Sequence, residues 1–189
     1  MFLFASLQTE PAVQQGRELE ELLLQVAAGD RDALGALYHR TRAAVYGLAL
    51  SYLKRQADAE DVTQNTFLQA WEHAGQYRGT GKALAWLLTI ARNLSLMALR
   101  RRKDEDLPPE DWAAIPDKPA LSLEDRHLLS VVMNTLEEQE RRIVLLHAVT
   151  GLKHREIAAL LELPLSTVLS KYHRSLKKLR QQLEGDETP

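Results

Sequence analysis

The 189-residue chain contains no cysteine, which excludes disulfides, thiolate metal sites and cysteine nucleophiles and is in keeping with a reducing compartment. Aromatic residues make up only 6% of it, while Leu and Ala dominate an apolar fraction of 45%. Such residues lose little on entering a helix, so the composition favours helices over sheet. No apolar run approaches the ~18 to 20 residues of a membrane span, and no membrane insertion is expected. The opening Met1-Phe2-Leu3-Phe4-Ala5 has no cationic flank and soon meets Glu10 and Pro11, which makes it a poor signal peptide. A soluble cytoplasmic protein follows. There is no phosphate-binding glycine loop, and the six histidines (His39, His73, His127, His147, His154, His173) form no ligand pair on one helix face. No metal and no other cofactor is therefore expected, and an enzyme is the weakest class.

Two stretches lack acid altogether. Between Arg78 and Lys103 there are seven Lys or Arg and no Asp or Glu, and between Leu165 and Leu183 there are five, again without an acid. Half of the 24 basic residues lie in these tracts, leaving the other half among all 26 acidic ones, so a formal net charge of −2 conceals two cationic surfaces on an anionic body. That segregation points to two polyanion contacts.

Helical periodicity organises the chain. Residues 1–17 show no clear period and read as a loose arm. Leu19, Leu22, Leu23 and Val26 recur at helical spacing and stop at Gly29, after which Asp30 is expected to cap a second helix with Leu34, Leu37, Tyr38, Val45, Leu48 and Leu53 inward. Asp58-Ala59-Glu60-Asp61 reads as a variant capping box opening a third helix with Val62, Phe67, Leu68 and Trp71 inward. Gly79-Thr80-Gly81 breaks the chain before a fourth helix from Ala83 to about Arg102. Residues 18–103 thus form a first helical domain. Residues 104–121, with four prolines and six acids, read as a linker. Fully extended it reaches ~60 Å, nearly two turns of B-DNA. A second domain over 122–184 begins with caps at Ser122 and Thr135, and 185–189 form a tail.

Residues 152 to 183 have the shape of a helix-turn-helix. A short helix burying Ile157, Leu160 and Leu161 is broken at Glu162-Leu163-Pro164-Leu165, and Ser166 is expected to cap a second helix with Val168, Tyr172, Leu176 and Leu179 inward. Its opposite face is expected to present Lys171, Arg174 and Lys178. Such a helix places its first turns in a major groove while later cations hold phosphates. A basic amphipathic helix standing alone is as well explained by a solvated face; the preceding helix, the proline turn and the cap favour DNA.

Gly151-Leu152-Lys153-His154-Arg155-Glu156-Ile157-Ala158 followed by the run from Leu163 to Leu179 resembles region 4 of bacterial extracytoplasmic-function sigma factors of the sigma-70 family. Asp58 to Trp71 resembles their region 2.2, and Ala85 to Leu94 their regions 2.3 and 2.4. The resemblance implies an all-α protein of two small domains, a region 2 bundle and a region 4 helix-turn-helix, that serves RNA polymerase as a detachable promoter-specificity subunit and is not an enzyme. It implies docking on the β′ clamp through Asp61, Gln64 and Asn65, with the β flap as a further polymerase contact. It assigns opened minus-ten DNA to Tyr77, Arg78, Thr80, Lys82, Trp86, Asn93, Arg100 and Arg101, a set with the aromatic, hydrogen-bonding and cationic groups that an unpaired base and its backbone need. Trp86 is equally readable as core. Minus-thirty-five readout falls to Ser166, Thr167, Leu169, Ser170, Lys171, Arg174 and Lys178. The pattern departs from the family where Leu169 replaces a usual basic residue, Lys171 a common Arg, Ser166 a common Gly and Lys153 a usual Ser or Thr cap. An anti-sigma partner is implied as well. Two other classes stay open on the residues alone: a stand-alone regulator that dimerises through its N-terminal helices, and a helical adaptor that binds only protein.

Overall fold

The structure, a computed structural model, describes residues 10–102 and 135–185. The expected linker over 104–121 and the cap at Ser122 lie outside the described residues, as do residues 1–9 of the arm. Among the described residues there are seven α-helices: α1 (Glu10–Ala27), α2 (Arg31–Leu53), α3 (Gln56–His73), α4 (Ala83–Arg102), α5 (Glu138–Thr150), α6 (His154–Leu161) and α7 (Leu165–Gly185). A 3-10 turn, Ala74–Gln76, follows α3. No helix among the described residues is long and apolar enough to cross a membrane.

Helix α1 begins at Glu10, earlier than the apolar period that starts at Leu19. Leu19, Leu23 and Val26 are buried against Ala33 and Leu37 of α2 and Ala83 of α4. The chain turns at Gly29, whose φ of +90° suits glycine. Asp30 caps α2 as expected, its carboxylate accepting from the N–H groups of Asp32 at 2.8 Å and Ala33 at 3.1 Å. From Val45 to Leu53 every residue of α2 except Gly47 is buried, so this half of the helix is apolar on all sides and forms the axis of the protein.

Helix α3 opens differently from the sequence reading. Lys54 ends α2 in the left-handed region, with φ of 59°, and Arg55 becomes the N-cap of a helix beginning at Gln56. Asp58 is therefore not the cap but lies in the first turn, 4.0 Å from Arg55, where a carboxylate suits the helix dipole. The inward face of α3 also differs: Thr63 and Thr66 are buried and Leu68 is 61% exposed. Both threonine hydroxyls donate to carbonyls one turn back, Ala59 at 2.6 Å and Val62 at 2.7 Å, which makes their burial inexpensive.

Helices α5 to α7 do not stand apart. Ile143, Leu146, Leu152, Ile157, Leu160 and Val168 belong to the same apolar core as Val45, Leu48, Phe67, Leu87 and Leu88. Polar contacts close the seam between the two halves. Arg142 lies over the Tyr52 ring at 3.9 Å and donates to the Ser51 carbonyl at 3.2 Å, Lys54 pairs with Glu138, and Arg92 of α4 pairs with Glu162 at 2.8 Å. Helix α5 is capped by Glu137, not Thr135; the Glu137 N–H donates back to the Glu140 carboxylate at 3.2 Å.

Candidate nucleic-acid interfaces

The loop from Tyr77 to Lys82 is held by one carboxylate the sequence did not single out. Glu20 of α1 accepts from the Tyr77 hydroxyl at 2.6 Å and from the Gly81 N–H at 2.9 Å, and the Lys82 N–H donates to the Tyr77 oxygen at 2.9 Å. Burial first, and then the carboxylate beside it, push the Tyr77 phenol above its ordinary value, so it stays protonated and keeps donating. Gly79 and Gly81 adopt φ of +63° and +70°, values only glycine takes without strain. The bend aims Tyr77 at Trp86, with ring centroids 5.5 Å apart.

Tyr77, Arg78, Thr80, Lys82 and Trp86 line one wall of a cleft of about 580 Å³, so five of the eight expected minus-ten residues meet at one site. Trp86 is half-buried, packed on the core by one side and open to the cleft by the other. Asn93 and Arg100 lie outside the cleft but on the same face of α4 as Trp86, at helical steps of 7 and 14 residues, and both are exposed. Thr89 and the 47% exposed Met97 fill that stripe between them and were not expected from the sequence. Arg101 is turned about 100° from it. Arg92, counted in the basic tract, is only 13% exposed and committed to Glu162.

The far wall of the cleft is α6, which contributes Arg155, Glu156, Ala159 and Leu160. The Lys153 N–H donates to the Glu156 carboxylate at 2.8 Å, which supplies one half of a capping box while the half a Ser or Thr cap would supply is missing. At the start of α7 the sequence reading needs correction. Ser166 is not the cap: the Pro164 carbonyl accepts from Thr167 at 3.0 Å and Val168 at 3.1 Å, which starts the helix at Leu165 and leaves Ser166 exposed within its first turn.

The face of α7 is rotated from that expected. Val168 and Ser175 are fully buried, while Leu176, expected inward, is 42% exposed. Ser175 tolerates the interior because its hydroxyl donates to the Lys171 carbonyl at 2.8 Å. A stripe through 168, 172, 175 and 179 carries Lys171 and Lys178 along its edge, toward α5. Lys171 is 18% exposed and 3.5 Å from Glu137; Lys178 donates to Glu140 at 2.7 Å. Burial pushes the Glu140 carboxyl up, but the Lys178 ammonium and the Glu137 N–H outweigh it and hold it below its ordinary value. These two lysines therefore do not point outward as expected. Arg174 and Lys177 are exposed, and among the described residues neither pairs with a carboxylate. Ser166, Leu169 and Ser170 are exposed and Thr167 is half-buried.

Behind this helix the rings of His147 and His154 stack with centroids 4.6 Å apart, and Tyr172 meets both edge-on. The His147 Nδ1 donates to the Leu152 carbonyl at 2.9 Å, while the buried His154 Nε2 has no hydrogen-bond partner among the described residues. Burial, with His147 and His173 nearby, lowers the His154 imidazole below its ordinary value. No group of three His, Asp or Glu among the described residues is arranged to hold a metal.

A third surface lies on α3. Asp61, Gln64 and Asn65 are exposed on the side away from its buried residues, and Leu68, one turn on, extends the same stripe.

Residues 37–105 match the family described as Sigma-70 region 2, and residues 126–179 match Sigma-70, region 4. The chain is 31% identical to the ECF RNA polymerase sigma factor SigK of Mycolicibacterium vanbaalenii, over 87% of this chain and 88% of that protein. It is 28% identical to SigK of Mycobacterium tuberculosis, over 88% and 94%. Among solved structures it is similar to CnrH in complex with the cytosolic domain of CnrY, with a TM-score of 0.63 and 26% identity over 90% of this chain and 99% of that one. It shares its fold with RpoE of Bartonella quintana, solved with the anti-sigma factor NepR, at a TM-score of 0.65 and 24% identity over 80% and 96%. With both conserved regions matched in order and a relative of this identity along nearly its whole length, the chain belongs to the extracytoplasmic-function sigma factors of the sigma-70 family.

Proposed function

We propose that this chain binds core RNA polymerase in the cytoplasm and directs it to promoters, acting by binding and not by catalysis. Residues 18–103 serve as region 2, 122–184 as region 4, and 104–121 as the connection that spans the two promoter elements. The α3 stripe of Asp61, Gln64, Asn65 and Leu68 docks on the β′ clamp, and region 4 meets the β flap. The cleft of Tyr77, Arg78, Thr80, Lys82 and Trp86, extended by Asn93, Arg100 and Arg101, takes opened minus-ten DNA. The exposed face of α7 meets the minus-thirty-five duplex.

The observation that carries this reading is the cleft, where two aromatic rings 5.5 Å apart sit beside a cationic loop anchored to Glu20. Stacking is worth about 1 to 3 kcal/mol per base and unpairing costs a few per step, so the capture of opened DNA needs polymerase to assist. The cleft is of small-molecule size and is walled by α6, which leaves no room for a duplex. The two halves therefore part when both promoter elements are engaged, and an anti-sigma protein that favours the closed form restrains the factor.

The test is run-off transcription by core polymerase, with and without the protein, on a library of upstream DNA. Starts that require the protein, share two spaced motifs and vanish when Asp61 and Gln64 are replaced by Ala support the reading. Tight binding to a palindromic duplex without polymerase, and no new starts, overturns it in favour of a stand-alone regulator.

A further inference from the structure

The half of α7 proposed to enter a major groove presents no outward cation. Leu165 and Leu169 are 45% and 36% exposed, one turn apart on one flank of the helix. Ser166 and Ser170, also one turn apart, are exposed beside them. Lys171, the cation of this half, is held under the helix by Glu137. Arg174 and Lys177 are the exposed cations that follow, one to two turns farther on, where a helix in the groove meets phosphates.

Guanine is read in the major groove by two donors reaching O6 and N7, most often from Arg or Lys. The groups presented here are two isobutyl side chains and two hydroxyls. Hydroxyls serve any base, and an isobutyl group has one partner on a base edge in that groove, the thymine C5-methyl. Ser170 keeps its proton on the Thr167 carbonyl at 3.1 Å, which leaves its oxygen as an acceptor toward an adenine or cytosine amino group.

We infer that this chain recognises its minus-thirty-five element through thymine C5-methyl groups seated on Leu165 and Leu169, in place of bidentate guanine contacts. The inference rests on the proposal that α7 reads duplex promoter DNA. Leu176, a further exposed leucine of the helix, lies two turns beyond Leu169 and outside the base-reading half.

Holoenzyme assembled from core polymerase and the full chain selects promoters from a randomised library, and the selected templates are then made with uracil replacing thymine at single upstream positions. Uracil differs from thymine only by the missing methyl. Initiation is expected to fall about fourfold at each of one or two adjacent positions, the value of one buried methyl-sized group. Leu169→Ala should transcribe thymine and uracil templates equally at one of these positions, and Leu169→Arg should shift selection there toward guanine. Protein-dependent starts that require an upstream element yet are indifferent to uracil throughout, or whose element centres on an essential guanine unchanged in Leu169→Ala, overturn the inference and leave the sigma reading standing. Starts that need no upstream element at all overturn the assignment of α7 as well. Circular dichroism of Leu169→Ala should match the wild type, because the side chain is exposed.

Discussion

Lys178 is held inward by Glu140, and its replacement by Met tests whether it serves the fold or the proposed DNA interface. Glu140 is fully buried, and the ammonium of Lys178 at 2.7 Å is its only cationic hydrogen-bond partner among the described residues. Removing one member of a fully buried pair costs about 3 to 5 kcal/mol. Lys178 keeps 35% of its side chain exposed and Glu140 keeps the Glu137 N–H, so Lys178→Met should cost about half of that, ~2 kcal/mol. Glu140→Gln leaves behind a lysine that can rehydrate and should cost ~1 kcal/mol, and the double variant about the same, giving a coupling of ~2 kcal/mol in urea unfolding near pH 7.5. The pH dependence supplies a second reading. Because the folded carboxyl lies below its ordinary value of 4.5, its stabilising contribution is complete above that pH and is lost as pH falls through the depressed value. In Lys178→Met burial is opposed only by the Glu137 N–H and the Lys171 ammonium, the carboxyl rises from its depressed value, and acidification becomes less damaging. On promoter DNA the salt dependence of holoenzyme binding should be unchanged in Lys178→Met, whereas Lys177→Ala should reduce the log–log slope by about 0.9. A coupling below about 0.5 kcal/mol, or a reduced salt slope in Lys178→Met, would refute the inward assignment of this lysine.

Further outcomes follow from other parts of the structure. The neutral His154 imidazole, lowered below 6.5 by burial, makes the unfolded chain the better proton acceptor just below that pH, so thermal stability should fall as pH drops from 6.5 toward the depressed value, and His154→Phe should flatten the decline. Glu20→Gln weakens the anchor of the 77–82 loop; permanganate footprinting of opened minus-ten DNA should weaken while protection of the minus-thirty-five duplex is retained. Leu68→Ser, at an exposed site, should leave the melting temperature unchanged within the effect of about 0.5 kcal/mol, yet reduce affinity for core polymerase in a pull-down titration.

Much of the architecture is legible in the sequence because local chemistry sets it: Asp30 as a cap, Gly29 as a stop, the glycine break before Ala83. The misread faces share one cause. Thr63, Thr66 and Ser175 go inside by bonding carbonyls of their own helices, and each displaces a leucine, Leu68 or Leu176, to the surface. A rule that places leucine in and hydroxyls out inverts those positions. The inward turn of Lys171 and Lys178 was not legible for a different reason: their partners, Glu137 and Glu140, lie more than thirty residues away and become neighbours only when α5 packs on α7. Glu20 is hidden in the same way, 57 residues from Tyr77. The aromatic pair of the cleft and its cations Arg78 and Lys82 were visible because they come from one short continuous segment, whereas Arg155 reaches the cleft from α6.

The core common to both halves sets a limit on how stable this protein can usefully be. Under the proposed parting of the two halves, each 1.4 kcal/mol by which the seam through Ile143, Leu146, Ile157 and Leu160 favours closure divides the open fraction about tenfold, and apparent affinity for polymerase falls with it. Substitutions that tighten this seam would raise the melting temperature and silence the promoter together. Output in the cell is then governed by a balance point, and the side chains that hold the fold together are also the ones that decide how often the factor is available for use.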